Sequence, residues 1–275
     1  MFEPVIKWSG SKRSQASKIL TYFPKEIHTY YEPFCGGASV LNRLLHSDIK
    51  VNNYVCSDLN QGLIDLWNEI MYHPEQVIMH YATLWHELNI DEDKQRKKEY
   101  FTKVRDRYNQ EHNPLDFMFI MRTTTNGMPR YNNKGEFNNS FHVTRDGMHP
   151  HTLANIVNDW SDMLKSHNVK FISCSYEDIK PSPDDFVYMD PPYAHTKGMY
   201  YGAIDYPSMW DWVRSLPCKY ILSFDGISGD DDNTYIVPED IYSTHEYIFS
   251  GNSSFKRVIG KSKNCLVYES LYIKD

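Results

Sequence analysis

Apolar residues recur along this chain with two different periods, and the switches between them outline its elements. Gln15–Tyr22 has a short helical pattern behind a Ser/Gly/Lys cluster. The run His28–Leu41 reads as a strand, a glycine-rich turn and the start of a helix from Ala38 to about Leu45. Val51–Val55 reads as a second strand. Residues 61–88 carry Leu63, Leu66, Ile70, Val77, Ile78, Tyr81 and Leu84 at helical spacing. Asp91–Arg107 is densely charged around Tyr100, Phe101 and Val104, which predicts a helix with one solvated face. Leu115–Met121 is apolar throughout and predicts a buried helix. The strand–helix alternation returns with a helix over Leu153–Lys165 and a strand over Val169–Ser173. Phe186–Met189 is an unbroken apolar run, the mark of a central parallel strand buried on both faces. A helix over Met209–Leu216, a strand over Tyr220–Phe224 and two alternating C-terminal strands, Glu246–Phe249 and Asn264–Tyr272, complete the series. The expectation is an α/β fold with a Rossmann-like sheet and an inserted, mainly helical region.

The strand at Phe186–Met189 runs into Asp190-Pro191-Pro192-Tyr193. Two prolines cannot donate to a ladder, so the strand stops there. Asp190 is left at a strand's carboxyl end, where open α/β sheets bind ligands. An acid, a stiff carbonyl and an aromatic ring in a row suit a planar base that carries an amino group. At average residue usage this tetrapeptide arises by chance in roughly one chain in a thousand of this length.

Asp190-Pro191-Pro192-Tyr193 resembles the catalytic motif of amino-group DNA methyltransferases, and with the N-terminal segments the chain resembles DNA adenine methylases of the Dam type. Lys7-Trp8-Ser9-Gly10-Ser11-Lys12 resembles the family's Lys-Trp-x-Gly-Gly-Lys segment, with Ser11 in place of the second glycine. The match implies cofactor contacts from Trp8 and Lys12. Phe34-Cys35-Gly36-Gly37-Ala38 resembles the Phe-x-Gly-Gly-Gly loop, with Ala38 at the third glycine, and Asp58-Leu59-Asn60 resembles the ribose-gripping Asp-x-Asn. The implied cofactor is S-adenosyl-L-methionine, held by Trp8, Lys12, Phe34, Cys35, Gly36, Gly37, Asp58 and Asp190. The loop is not G-x-G-x-x-G, which speaks against a dinucleotide.

Asn126-Gly127 and Lys134-Gly135 mark turns of a hairpin within Arg122–Asn138, which resembles the family's Asn-Gly-x-x-Arg-x-Asn block. Asn126 and Arg130 carry over as DNA contacts. Arg122, Lys134 and Arg145 join them on charge alone. Ser175 stands where family members carry an acid that reaches the cofactor's adenine, and Glu177 and Asp178 are the available substitutes.

The resemblance implies residues 1–70 and 153–275 as a catalytic and cofactor-binding domain, with 71–152 as an inserted target-recognition domain. It implies transfer of a methyl group to adenine N6 in double-stranded DNA by base flipping. Catalysis would rest on Asp190, Pro191, Pro192 and Tyr193, with no covalent intermediate. Two readings stay beside it: a catalytically impaired DNA-binding relative, and an amino-methyltransferase acting on RNA or a protein amide.

Charge and cysteine content adjust this only slightly. The net charge of −7 is unusual for a DNA binder, but it is unevenly spread. Residues 181–240 carry eleven acids and three bases, whereas 1–30 and 250–275 each carry five bases and two acids. The basic Lys256–Lys263 loop is a further candidate phosphate contact, Gly229–Thr234 is a solvated acidic loop, and Lys197–Tyr206 reads as a loop over the site. Five scattered cysteines without C-x-x-C spacing argue against a disulfide framework and a zinc site, and His142, His149 and His151 lack partners for a metal. With no apolar run of membrane-spanning length and no signal-peptide pattern, the expectation is a cytoplasmic protein with no membrane and no obligate protein partner.

Overall fold

The computed structural model describes residues 3–142, 144–193, 204–229, 231–252 and 266–275. They fall into two compact units, one drawn from Met1–Ser11 and Asp58–Ser173, the other from Lys12–Ser57, Cys174–Lys197 and Ala203–Asp275.

The second unit is built on a sheet. Its strands are β1 (Glu26–Glu32), β2 (Lys50–Asp58), β4 (Phe186–Met189), β5 (Lys219–Ser228), β6 (Asp231–Asp232), β7 (Thr244–Asn252) and β8 (Leu266–Lys274), while β3 (Lys170–Ser173) belongs to the first unit. The order across the sheet is β2-β1-β4-β5-β8-β7. β1 pairs parallel with β2 and β4, and β4 pairs parallel with β5. β8 and β7 close one side as an antiparallel hairpin. All four residues of β4 are buried, as a central parallel strand requires. Val187 and Met189 pack with Leu222 and Phe224 of β5 and with Met209, Trp210 and Val213 of helix α8 (Tyr206–Ser215).

β5 runs four residues beyond the predicted Phe224. It continues past an irregularity between Phe224 and Ile227 in its pairing with β8. Gly226 sits in that irregularity, where a Cβ would run into the Tyr268 carbonyl oxygen and lie 2.9 Å from the Glu269 Cα. The missing side chain lets the two backbones approach.

The first unit is mainly helical: α3 (Gln61–Tyr72), α4 (Pro74–Leu88), α5 (Lys94–Glu111), α6 (Pro114–Thr123) and α7 (Pro150–Ser166). The continuous pattern over 61–88 is two helices, because Pro74 opens α4 and disfavours helical backbone at His73. α6 is the centre of the unit, with Phe117, Met118, Phe119, Ile120 and Met121 fully buried. α3, α4 and α5 each pack against it, and α7 packs on α3 and α4. This unit is wider than the expected 71–152, because α3 and α7 bury their apolar faces here. Trp67 of α3 stacks on Phe171 at 5.1 Å and meets Trp160 of α7 at 5.0 Å.

The charged α5 presents a solvated face, yet Lys97 turns inward to Glu92 at 3.2 Å and Asp146 at 3.1 Å. Among the described residues, no helix is long and apolar enough to cross a membrane. The Lys256–Lys263 loop lies outside the described residues, as does the Lys197–Tyr206 loop as far as Ala203.

Gly226→Ala should cost ~1–3 kcal/mol, because a methyl group driven into backbone must displace β8. Thermal unfolding checks this. An unchanged midpoint would mean that the hairpin shifts freely.

Candidate active site

At the end of β4 the chain turns through Asp190-Pro191-Pro192-Tyr193, and Tyr206 at the head of α8 donates its hydroxyl to the Pro192 carbonyl at 3.0 Å. The Lys12 ammonium reaches the Asp190 carboxylate at 2.7 Å. The same ammonium lies 3.4 Å from Glu269 of β8. Tyr193 donates its hydroxyl to Glu269 at 2.8 Å, Lys12 sits 5.0 Å from the centre of its ring, and the ring meets Phe224 edge-on at 5.7 Å. Tyr188, two residues before Asp190, shares a hydrogen bond with Ser223 at 2.8 Å and fixes the strand beneath the turn.

Burial pushes the Asp190 carboxyl up, Lys12 pulls it down and Glu269 raises it again, leaving it at about 6. A carboxyl raised towards neutrality at a strand's carboxyl end makes this turn the candidate site.

The glycine-bearing turn follows β1 in the same unit. The Cys35 N–H donates to the Ser57 carbonyl at 3.0 Å, and the Ala38 N–H to the Cys35 carbonyl at 2.7 Å. Gly36 has φ 45°, and Ala38 has φ 50° and ψ 41°, a left-handed conformation that costs an alanine ~1 kcal/mol and a glycine almost nothing. Ala38 fits the third glycine position by carrying that strain. Helix α2 (Ser39–Leu45) starts directly after it.

Beneath the turn, the buried Glu32 accepts from the Tyr30 hydroxyl at 2.7 Å and the Leu41 N–H at 3.1 Å. Burial dominates and pushes its carboxyl up to about 8. Phe34 packs its ring 5.5 Å from Tyr176, which meets Trp212 at 5.1 Å. The predicted acid substitutes behave differently from each other. Asp178 accepts from the Ser175 N–H at 3.0 Å in a capping box that starts a short 3₁₀ turn, while Glu177 is exposed.

Trp8 and Asp58 belong to the helical unit. Trp8 is half-buried, and Asp58 accepts from the Asn60 N–H at 3.0 Å. Asn60 in turn donates to the Tyr131 hydroxyl at 2.8 Å.

The expected hairpin is present: Tyr131 bridges Phe137, the Asn132 N–H donates to the Glu136 carbonyl, and Gly135 at the tip has φ 77°. Lys134 is exposed at that tip, Arg130 is exposed where the hairpin begins, and Asn126 is exposed in a left-handed conformation. Arg145 is exposed as well. Arg122 is different. Its guanidinium donates to the Val5 carbonyl at 2.9 Å and to the Pro4 carbonyl, and burial lowers its pKa to about 10. We therefore assign Arg122 to pinning the N-terminal segment rather than to the DNA-contact set. Lys7 packs over Gly127, its pKa lowered by burial and by the charges of Arg145 and Arg122. That crowding of like charge is a candidate anion site.

Residues 8–209 match the family model for D12 class N6 adenine-specific DNA methyltransferases. The chain belongs to that family. It is 34% identical over 208 residues to the type II methyltransferase M.MjaIII of Methanocaldococcus jannaschii, a match covering 70% of this chain and 69% of that protein. It is 27% identical over 201 residues to the type II methyltransferase M1.LlaDCHI of Lactococcus lactis, covering 69% and 65%. It is 30% identical over 192 residues to the DNA adenine methylase of Escherichia coli K12, covering 69% and 64%. The aligned parts thus span about two thirds of these relatives' own lengths.

Reading the D12 methyltransferase sequence missed Lys7, Glu32 and Glu269 as functional candidates. Glu269 carried a signal, since it interrupts a mostly apolar and aromatic strand, whereas Glu32 ends a strand that already holds Glu26, His28 and Thr29 and carried none. The folded Glu32 holds its proton far more tightly than the ordinary carboxyl value of 4.5. Its contribution to stability is therefore present at low pH and lost as pH rises through about 8. Glu32→Gln should flatten that alkaline loss. Glu32→Ala should cost ~1–3 kcal/mol at every pH by orphaning a buried N–H. Unfolding midpoints across pH separate the two, and equal pH profiles for wild type and Glu32→Gln would contradict the assignment.

Proposed function

We propose that this chain transfers the methyl group of S-adenosylmethionine to N6 of an adenine swung out of double-stranded DNA. The observation that carries the reading is the Asp190 carboxylate, held by Lys12 on a proline-stiffened turn beside a fixed tyrosine ring.

The residues present suit that cofactor. The left-handed backbone at Gly36 and Ala38 lets the turn approach a ligand closely. Lys12 and Asp190 offer a cation and an anion to the two charges of an amino-acid head group. Phe34, Cys35, Gly36 and Gly37 would line the turn side. When bound, S-adenosylmethionine supplies an electrophilic methyl group on a sulfonium.

The rest is done by the chain. Asp190 and the Pro191 carbonyl accept hydrogen bonds from the amino group of the base. This draws its nitrogen away from conjugation with the ring and frees the lone pair for attack. Acceptors fixed in place before reaction act where charge develops and need no reorganisation. Tyr193 stacks on the extruded base and recovers part of the few kcal/mol that unstacking costs. Nitrogen becomes strongly acidic only once methylated, so a carboxylate at Asp190 serves without being a strong base. Asn126, Arg130 and Lys134, together with Arg145 and Lys7, would meet base edges and phosphates. Because the whole chain is acidic, this binding rests on a few cations, so it is weak at the outset and falls with salt in proportion to the few phosphates neutralised.

Label from methyl-labelled cofactor should appear as N6-methyladenine in unmethylated DNA and fall by ~10²–10³-fold in Asp190→Ala. The ionised Asp190 is the competent acceptor, and its carboxyl titrates at about 6, so kcat/KM should rise with pH through that value and level off above it. Label arriving in RNA or protein instead, or no transfer at all, would overturn the reading.

A further inference from the structure

The geometry points to Glu269 of β8 as a positioning residue for the Asp190-Pro191-Pro192-Tyr193 turn, holding the Tyr193 ring in place and sharing Lys12 with Asp190. This rests on the methyl-transfer reading of the turn but adds a residue outside the 8–209 family match.

Glu269 has an unusually complete set of partners for a strand carboxylate. One oxygen accepts from the Tyr193 hydroxyl at 2.8 Å and lies 3.4 Å from the Lys12 ammonium. The other accepts from the Ser250 hydroxyl at 3.0 Å, and Ser250 in turn accepts from the Gln15 amide at 2.7 Å. Gln15 and Lys12 are both buried, and only 15% of the Glu269 side chain is exposed. The C-terminal hairpin and the N-terminal helical turn thus converge on one carboxylate, and that carboxylate holds the tyrosine.

Charge divides unequally between the two acids. Burial pushes the Glu269 carboxyl up, but Lys12 and the hydrogen bonds from Tyr193, Gln15 and Ser250 outweigh it and hold it below the ordinary value. Asp190 faces the same Lys12 with fewer donors and with Glu269 as a like-charged neighbour. Tyr193, Tyr188 and the buried Glu32 also face it. Glu269 therefore keeps its charge and leaves Asp190, though nearer to Lys12 at 2.7 Å, as the carboxyl that titrates and can turn to the amino group of a substrate. When two carboxylates lean on one cation, the one with more hydrogen-bond donors takes the charge and the other becomes titratable.

Two consequences can be read separately. Glu269→Gln keeps an acceptor for Tyr193 and removes the competing charge, so Lys12 should commit to Asp190. The Asp190 carboxyl should then titrate ~1 pH unit lower, followed directly by carbon-13 resonances of labelled aspartate, with the acid limb of kcat/KM moving with it. Glu269→Ala should release the tyrosine hydroxyl and lower kcat about 10-fold with a smaller change in KM, and Tyr193→Phe on that background should add little. A purely structural Glu269 would lower the unfolding midpoint and leave the Asp190 titration unmoved, which would overturn the proposal. So would additive effects of Tyr193→Phe and Glu269→Ala. If Glu269→Ala does not fold, Tyr193→Phe paired with Glu269→Gln supplies the cycle. The titration needs no turnover: an inactive wild type whose Asp190 still responds to Glu269→Gln sinks methyl transfer and spares the coupling, and an active one whose Asp190 does not respond sinks the coupling alone.

Discussion

Lys12 lies between two carboxylates that it cannot satisfy equally, and the sheet-built unit of this protein is arranged around that inequality. Its ammonium is almost wholly buried, 2.7 Å from Asp190 and 3.4 Å from Glu269. A buried cation needs a counter-charge, and a second acid beside it raises the cost of ionising the first. Asp190 is left with a carboxyl near 6, able to be an anion at neutral pH and still within reach of a proton. Replacing the lysine would leave two adjacent acids in a desolvated pocket, each suppressing the other's charge.

Several departures from local preference serve the same region. Two consecutive prolines end a central strand at the point where Asp190 must project, and Tyr206 ties down the carbonyl that follows. Ala38 accepts a left-handed backbone so that the turn after β1 can keep its shape. Gly226 gives up a side chain so that β8 can approach β5 beside Glu269. Strain and missing side chains gathered around one set of charged groups are what a functional site looks like when the surrounding sheet is well packed.

The helical unit follows a different logic. α6 buries Phe117 through Met121 because α3, α4 and α5 pack around it, and its buried Asp116 is answered by Arg107 and His80. Its last turn carries Arg122, which closes over the backbone of the N-terminal segment. The polar hairpin that follows keeps its cations outward, at Arg130 and Lys134. Two arginines eight residues apart thus take unlike roles, because one lies on a buried helix end and the other on exposed chain just before the hairpin.

What the chain declares by itself is whatever depends on neighbours in sequence. The burial of β4 follows from four apolar residues before Pro191, and the hairpin at Tyr131–Phe137 follows from its glycines and asparagines. The Asp-Pro-Pro-Tyr turn and the glycine-bearing loop are equally local, and they sufficed to indicate an amino-methyltransferase. Only the tertiary structure could decide where α3 and α7 bury their faces, that Arg122 turns inward, and that Glu269 meets Tyr193 from 76 residues away. A side chain's ionisation and partner depend on burial and on charges that strand order brings together, and no window of sequence contains that order.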